Sequence, residues 1–212
     1  MITDFNPKAG PPSSGTTIII NGTDLGTQRS DIESVMVGNR NCIVDEYQPG
    51  VWIKCTIDPD TSDNANRNES ITVRVTRSSG SVAVNSSTQY QFITPIIQSV
   101  SPTYGPVSGG TRIRIQGTNF DIGNKEMTRV IMRQSSRKKR NTCPDVNCNI
   151  TSIINTEINC VTSSINDTDC VRNVIVSVNG ASFSNTSISY QYRPDPTFYS
   201  ISPMVTIPAG GI

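Results

Sequence analysis

The sequence predicts an all-β protein made of tandem immunoglobulin-like β-sandwiches joined in a rod. Three observations carry this prediction. A segment at 6–26 recurs at 101–121, short stretches alternate polar and apolar residues with a period of two, and no window of roughly 11 residues or more carries a helical apolar stripe. About seven short strands per ~100 residues, joined by glycine and proline turns, are typical of an immunoglobulin-like sandwich.

Composition excludes several functional classes. The chain has 212 residues with 34% apolar content, a formal net charge of +1 and no histidine. Without histidine it lacks the commonest general base, the histidine-dependent nucleophile systems and most zinc ligand sets. We therefore expect no enzyme and no cofactor. The near-neutral charge gives no general attraction to nucleic acid.

The internal repeat sets the domain count. NPKAGPPSSGTTIIINGTDLG (6–26) aligns with SPTYGPVSGGTRIRIQGTNFD (101–121), with most glycines and prolines in register. A third copy begins at SISPMVTIPAGGI (200–212). A period this long indicates repeated domains. We expect a first domain over 1–94, a second over 95–194 and the truncated start of a third over 195–212.

The linkers between these units are short and contain proline. Ile93-Thr94-Pro95 leads into the second unit, and Arg193-Pro194-Asp195-Pro196 leads into the third. Proline fixes φ and biases the preceding residue toward extended backbone. The sequence therefore predicts stiff joints, in a chain that is an internal piece of a longer protein.

The clearest strands follow directly after the glycine-rich anchors. In Thr111–Gln116 the residues Ile113 and Ile115 alternate with polar ones, so both are expected to face the core. The repeat register places Ile19 of the first unit on the outer face. Asn179-Gly180 predicts a type I′ hairpin turn. The anchor glycines are expected to have structural roles, through bends and close backbone approach.

Six cysteines occur in even numbers within each unit, which predicts intra-domain disulfides. The similar spacing of Cys42 to Cys55 and of Cys148 to Cys160 predicts one shared bridge on neighbouring strands. Cys143 and Cys170 then form an additional pair, although four cysteines allow three connectivities. The spacing around Cys143 does not fit a zinc site.

Six Asn-x-Ser/Thr triplets, together with paired cysteines, predict a glycosylated protein of the secretory pathway. We expect occupancy to be lowest at Asn21, which lies at a strand end. The six acceptors are Asn21, Asn68, Asn85, Asn149, Asn166 and Asn185.

A basic run in the second unit has three interpretations. Its residues are Arg137, Lys138, Lys139 and Arg140. They match the pattern cut by secretory proprotein convertases, they are also consistent with a solvated basic loop, and with Arg129 and Arg133 they would make a heparan sulfate contact.

Trp52 is the only tryptophan. The strand register points it outward, which is consistent either with an interface anchor or with partial cover by a neighbouring loop or glycan.

The segment SPTYGPVSGGTRIRIQGTNF resembles the IPT/TIG repeat, an immunoglobulin-like fold. The match is closest to the extracellular repeats of plexins and of the hepatocyte growth factor receptor group. Residues 24–57 look like the first such repeat of a plexin, and 189–204 is similar to the junction before a third repeat. The long basic insertion at 133–147 and the two additional cysteines depart from the pattern.

The resemblance implies the extracellular part of a plasma-membrane receptor. In plexins such repeats form a stalk, while a semaphorin-like head outside this segment binds semaphorin. The alternative is the ectodomain of a tyrosine kinase like the hepatocyte growth factor receptor, with direct ligand or heparan sulfate contact. The DNA-binding IPT/TIG domains of transcription factors are a third class, which the near-neutral charge, the sequons and the paired cysteines argue against.

Overall fold

The computed structural model describes residues 1–61, 66–134, 144–166, 171–200 and 202. Within them, regular structure consists of strands and two short 3₁₀ turns, at Arg29–Asp31 and Lys125–Met127. The strands form two eight-stranded sheets, one from the first half of the chain and one from the second half. The predicted all-β class is therefore confirmed.

The first sheet has the strand order β1-β3-β6-β5-β4-β7-β8-β2. Its strands are β1 (Ile2–Asn6), β2 (Ala9–Gly10), β3 (Thr17–Gly22), β4 (Ile32–Val37), β5 (Arg40–Gln48), β6 (Trp52–Ile57), β7 (Arg67–Arg77) and β8 (Gly80–Phe92). At its start β5 pairs with β4, and from Cys42 onward it pairs with β6. The sheet therefore continues from one layer of the sandwich to the other.

The second sheet repeats this topology, with the order β10-β16-β15-β12-β13-β14-β11-β9. Its strands are β9 (Ile96–Ser101), β10 (Tyr104–Pro106), β11 (Arg112–Thr118), β12 (Arg129–Gln134), β13 (Val146–Ile154), β14 (Glu157–Thr162), β15 (Val171–Val178) and β16 (Ala181–Arg193). The short strand β10 pairs with β16 in parallel, as β2 does with β8.

Each domain has its own apolar core, built by the period-two patterns of its strands. Ile18 and Ile20 are fully buried, whereas Ile19 between them is 42% exposed. Ile113 and Ile115 are buried in the same way in the second domain. Alternate side chains of a strand point to opposite faces, so these patterns place one row in each core.

The anchor glycines allow close backbone approach, as predicted. A Cβ at Gly117 would lie 2.0 Å from the carbonyl oxygen of Ile96 on the neighbouring strand β9. Gly109 has φ +79 and lies against the backbone of Ser163, where a Cβ would also clash. These positions fit glycine alone.

One disulfide lies in each core, between adjacent strands. Cys42 on β5 is bonded to Cys55 on β6, with 5.4 Å between their Cα atoms. Cys148 on β13 is bonded to Cys160 on β14, with a Cα separation of 5.5 Å. These are the two pairs expected from the spacing. The third expected pair, Cys143 with Cys170, lies outside the described residues.

Candidate functional site

The junction between the two domains is the most specific constellation of polar groups in the part of the chain described above. Strand β8 ends at Phe92 and β9 begins at Ile96, so only three residues connect the domains. Ile93 in this linker packs against the second core, and so does Ala9 of the first domain. The linker is therefore part of a packed contact.

Two hydrogen bonds to main-chain carbonyls cross this junction. The amide of Gly123 donates to the carbonyl of Ala9 at 2.7 Å. The side-chain amide of Asn119 donates to the carbonyl of Thr94 in the linker at 3.0 Å. Both donors lie in the loop that follows β11, so one loop of the second domain holds both the first domain and the linker.

Asn179 occupies the centre of the junction and is only 7% exposed. Its Nδ2 group donates to Oγ1 of Thr16 in the first domain at 3.1 Å. Its Oδ1 accepts the amide hydrogen of Asn124 in the second domain at 3.1 Å. A buried amide satisfied from both sides in this way requires the two domains to keep one relative position.

The repeat pattern predicted a different role for Asn179, as a residue of a hairpin turn. Asn179-Gly180 forms the predicted hairpin turn, with φ values of +50 and +90. The equivalent turn of the first domain is Ser79-Gly80, where Ser79 is exposed. The sequence signal for this role was the difference between Asn179 and Ser79 at the same turn position. A hairpin turn needs only a residue that tolerates positive φ, so the turn alone does not explain a buried amide side chain.

An open crevice of about 750 Å³ runs beside these hydrogen bonds. The first domain lines it with Lys8 and Gln91, and the second domain with Asp121, Lys125 and Glu126. Charges of both signs face it, so its lining favours no single type of charged ligand. No group of three or more potential metal ligands occurs within the described ranges.

The linker after the second domain is bound to that domain. The carbonyl of Arg193 accepts from the amide of Val107 at 2.9 Å, and the Asp195 carboxylate accepts from the amide of Ser108 at 3.0 Å. The Arg193 guanidinium lies over the ring of Tyr104, 3.9 Å from its centroid. Farther along the chain, Phe198 is almost fully exposed. The expected third unit, 195–212, is described only as far as 200 and at 202.

Each domain contains a buried arginine that the sequence analysis missed. Arg40 on β5 lies over the ring of Phe92, 4.8 Å from its centroid. Arg172 on β15 lies over Tyr192, the equivalent aromatic residue, at 5.9 Å. The buried cation thus comes from different strands but contacts the same position of the fold. In the first domain a second arginine, Arg67 on β7, also lies over the Phe92 ring, at 4.7 Å. Sequence repeats could not reveal this, because the two arginines do not align.

Tyr192 is the tyrosine beneath Arg172. Burial, and secondarily the neighbouring Tyr190, raise its pKa to about 12, while Arg172 acts in the opposite direction. Its hydroxyl donates to the carbonyl of Ser163 at 2.9 Å. Since the ring is neutral at physiological pH, its role in the described structure is packing and hydrogen bonding.

All six predicted glycan acceptors are within the described residues. Four of them are exposed: Asn68, Asn85, Asn149 and Asn166. Asn21 and Asn185 are partly exposed, and the side-chain amide of Asn185 donates to the carbonyl of Ile97 at 3.1 Å.

Trp52 lies on the outer face of β6, as its register predicts, and is partly exposed. Its indole N–H donates to the side-chain oxygen of Gln48 on β5, and its partner on the other side is Asn21 of β3.

The basic run Arg137, Lys138, Lys139 and Arg140 lies outside the described residues. Arg129 and Arg133, which the heparan sulfate interpretation groups with this run, are within the described residues. Arg133 forms a two-pronged ion pair with Asp145, at 2.9–3.2 Å. Arg129 donates to the carbonyls of Glu126 and Thr128. The charge of Arg133 is therefore already paired within the domain.

Among the described residues there is no apolar helix of the length needed to span a lipid bilayer.

Relatives and solved structures resemble the chain over nearly its whole length. It is 32% identical to Plexin-2 of Caenorhabditis elegans over 99% of its residues, and 29% identical to Plexin-A3 of Rattus norvegicus over 97%. It spans about a tenth of the length of these relatives, 11% and 10% respectively. The full extracellular region of plexin A4 superposes with a TM-score of 0.71 at 28% identity, over 95% of this chain and 16% of that one.

A comparison with family profiles matches the IPT/TIG domain twice, at residues 1–92 and 95–192. These two ranges correspond to the two sheets and the two cores described above. The chain belongs to the IPT/TIG domain family.

Proposed function

We propose that this chain is a stalk segment in the extracellular part of a plexin-type cell-surface receptor. In this role its two domains hold a separate ligand-binding head at a fixed distance and orientation. The observation that carries the proposal is the buried Asn179 amide, which is satisfied by one partner from each domain. A flexible tether does not need such a contact, whereas a spacer that sets geometry does.

The likeness to plexin ectodomains supports the same role. The superposition on plexin A4 covers 95% of the chain with a TM-score of 0.71, and so includes both domains together. The protein ligand, semaphorin in this proposal, binds outside this segment. Neither catalysis nor a cofactor is part of the role. The plexin relatives do not favour the growth factor receptor alternative.

The extracellular location accounts for the remaining sequence features. Disulfides such as Cys42–Cys55 are stable in an oxidising compartment, and the six sequons are proposed as glycan sites. The additional bridge Cys143–Cys170 is proposed as well. For the run from Arg137 to Arg140, convertase cleavage and heparan sulfate contact are both proposed as roles, with a solvated basic loop as the alternative.

The contact between the two domains is tested by replacing one hydroxyl group with a methyl group. Thr16→Val removes the hydroxyl that accepts the Asn179 amide but keeps the side-chain shape. Thr111→Val makes the same change at the equivalent position of the second domain, away from this joint. We expect small-angle scattering of the secreted chain to show a broader range of interdomain arrangements for Thr16→Val alone.

The receptor-level experiment uses the full-length protein. There, Thr16→Val is expected to leave semaphorin binding unchanged and to weaken the cellular response. Equal scattering profiles for the wild type and Thr16→Val, or semaphorin capture by the isolated 212-residue chain, would contradict the proposal.

A further inference from the structure

The outer face of the β3–β6 pair differs sharply between the two domains. In the second domain the corresponding strands, β11 and β14, carry Arg114 and Glu157, which form an ion pair at 3.1 Å. In the first domain the equivalent positions are Ile19 and Trp52. Ile19 is 42% exposed. At these two positions one domain thus presents charges to water where the other presents an aliphatic and an aromatic side chain. The charge on this face of the first domain comes instead from Lys54, which pairs directly with Ile19 and forms an ion pair with Glu46 at 2.6 Å.

The apolar version of this face coincides with a glycosylation sequon. Asn21-Gly22-Thr23 begins at the end of β3, and the register pairs Asn21 directly with Trp52. The second domain has Gln116 at the position of Asn21, and no sequon on that strand. Directly paired residues on neighbouring antiparallel strands have Cβ atoms about 4.5–5.5 Å apart, so a group attached to the Asn21 side chain lies within reach of the indole ring.

The strand register places the indole and the Asn21 side chain on the same outer face of the sheet. The indole N–H is bonded to the side chain of Gln48 on the β5 side, which holds the ring on the outer face of the sheet. The side chain of Asn21 is partly exposed, with its amide on the same face. The sequon is read during synthesis, before the strand pairs, so a strand-end position does not prevent modification.

We propose that Asn21 carries an N-linked glycan whose first N-acetylglucosamine packs against Trp52 and shields Ile19. One face of this sugar consists of C–H groups, which bury apolar area against an aromatic ring while the hydroxyl groups remain in water. The occupant of the apolar face is therefore the chain's own glycan. This reverses the expectation that occupancy is lowest at Asn21, and it rests on the proposed extracellular location.

The single tryptophan makes the contact directly observable, because all indole fluorescence comes from Trp52. The protein is secreted from cells that make high-mannose glycans and is compared with Asn21→Gln. Asn68→Gln is the matched control, since Asn68 is exposed and pairs with Gln91 on the other layer of the same domain. Glycan occupancy of each variant is mapped by mass spectrometry.

We expect Asn21 to be occupied in the wild type. In Asn21→Gln, acrylamide quenching of Trp52 should rise about twofold, because one face of the ring loses its cover. Asn68→Gln should leave quenching unchanged. Trimming the wild-type glycans to a single sugar should also leave quenching unchanged, since only the first residue contacts the ring.

Two failures are distinguishable. If Asn68 and other sequons are occupied and Asn21 is not, or if Asn21→Gln quenches like the wild type, the glycan–tryptophan contact is wrong and the extracellular role stands. In that case the face is open to a protein partner. If no sequon is occupied in the secreted protein, the extracellular part of the proposed function falls with it.

Discussion

At the scale of single residues, the Gly-Pro turn of each domain is explained by a buried tyrosine. A Cβ at Gly105 would lie 2.2 Å from the Tyr190 hydroxyl and 2.2 Å from Oγ1 of Thr111. Gly10 stands in the same relation to Tyr90. The repeat signature thus retains glycine here because a side chain already fills the space.

Gly105→Ala is expected to destabilise the second domain by about 1–3 kcal/mol, the usual effect of forcing extra volume into a packed interior. Tyr190→Phe alone should cost little or nothing, because the buried hydroxyl has no hydrogen-bond partner among the described residues. The double variant should recover part of the loss. Chemical denaturation followed by circular dichroism measures all three, and equal stability of Gly105→Ala and wild type would contradict the steric explanation.

The raised pKa of Tyr192 predicts that the folded protein loses stability at high pH. The pKa of this residue is raised to about 12 in the folded protein, above the ordinary value of about 10. The folded state therefore holds this proton more tightly, so the contribution is complete below pH ~10 and is lost as the pH rises toward ~12. The stability of Tyr192→Phe should decline less over this window in rapid denaturation measurements. Parallel pH profiles would exclude Tyr192 as the cause.

At the scale of elements, each disulfide links neighbouring strands within one domain. Cys148 and Cys160 are separated by 12 positions, and Cys42 and Cys55 by 13. Closing loops of this size typically stabilises a domain by about 3 kcal/mol. Since the two cores are separate clusters, loss of one bridge acts first on its own domain.

Replacing Cys148 and Cys160 by alanine should therefore lower the free energy of unfolding of the second domain by about 2–4 kcal/mol, and its unfolding midpoint with it. Trp52 reports on the first domain alone, so the fluorescence midpoint should move less than the circular dichroism midpoint. The matched variant with Cys42 and Cys55 replaced should shift fluorescence strongly. Identical shifts in both signals for both variants would argue against domain-local stabilisation.

At the scale of the whole molecule, the asparagine bonds at the joint couple the two domains. Asn119 has a positive φ of 62, as does its counterpart Asp24 with 58. Only Asn119 uses its side chain to bind the linker, through the Thr94 carbonyl. Glycine tolerates this backbone conformation at either position. The same substitution at both positions therefore distinguishes the loss of the side-chain bond to the linker from any effect on the turn itself.

Asn119→Gly should reduce the coupling between the domains, and calorimetry should resolve two transitions that lie farther apart than in the wild type. Removing one such bond costs about 0.5–1.5 kcal/mol. Asp24→Gly should leave the separation of the transitions unchanged. If both variants behave alike, the Asn119 bond does not contribute to coupling.

Much of the fold was determined by the sequence on its own. The alternation around Ile113 and Ile115 defines a strand with one buried face, and that signal is local. The glycine and proline anchors repeat because the same close approaches occur in both domains, as at Gly117. Cysteine spacing identified two bridges because neighbouring strands bring such positions within bonding distance.

Which distant side chains come into contact depends on the packing of the folded chain. Asn179 and Thr16 are 163 positions apart, and their contact depends on how two finished domains dock. The buried residues Arg40 and Arg172 contact the same aromatic position from different strands. An alignment of the repeats does not reveal this, because the two arginines are not at equivalent positions. Asn21 faces Trp52 through strand register. Local periodicity fixes which face of a strand a residue occupies, whereas pairing and docking are set by the packing of the whole chain.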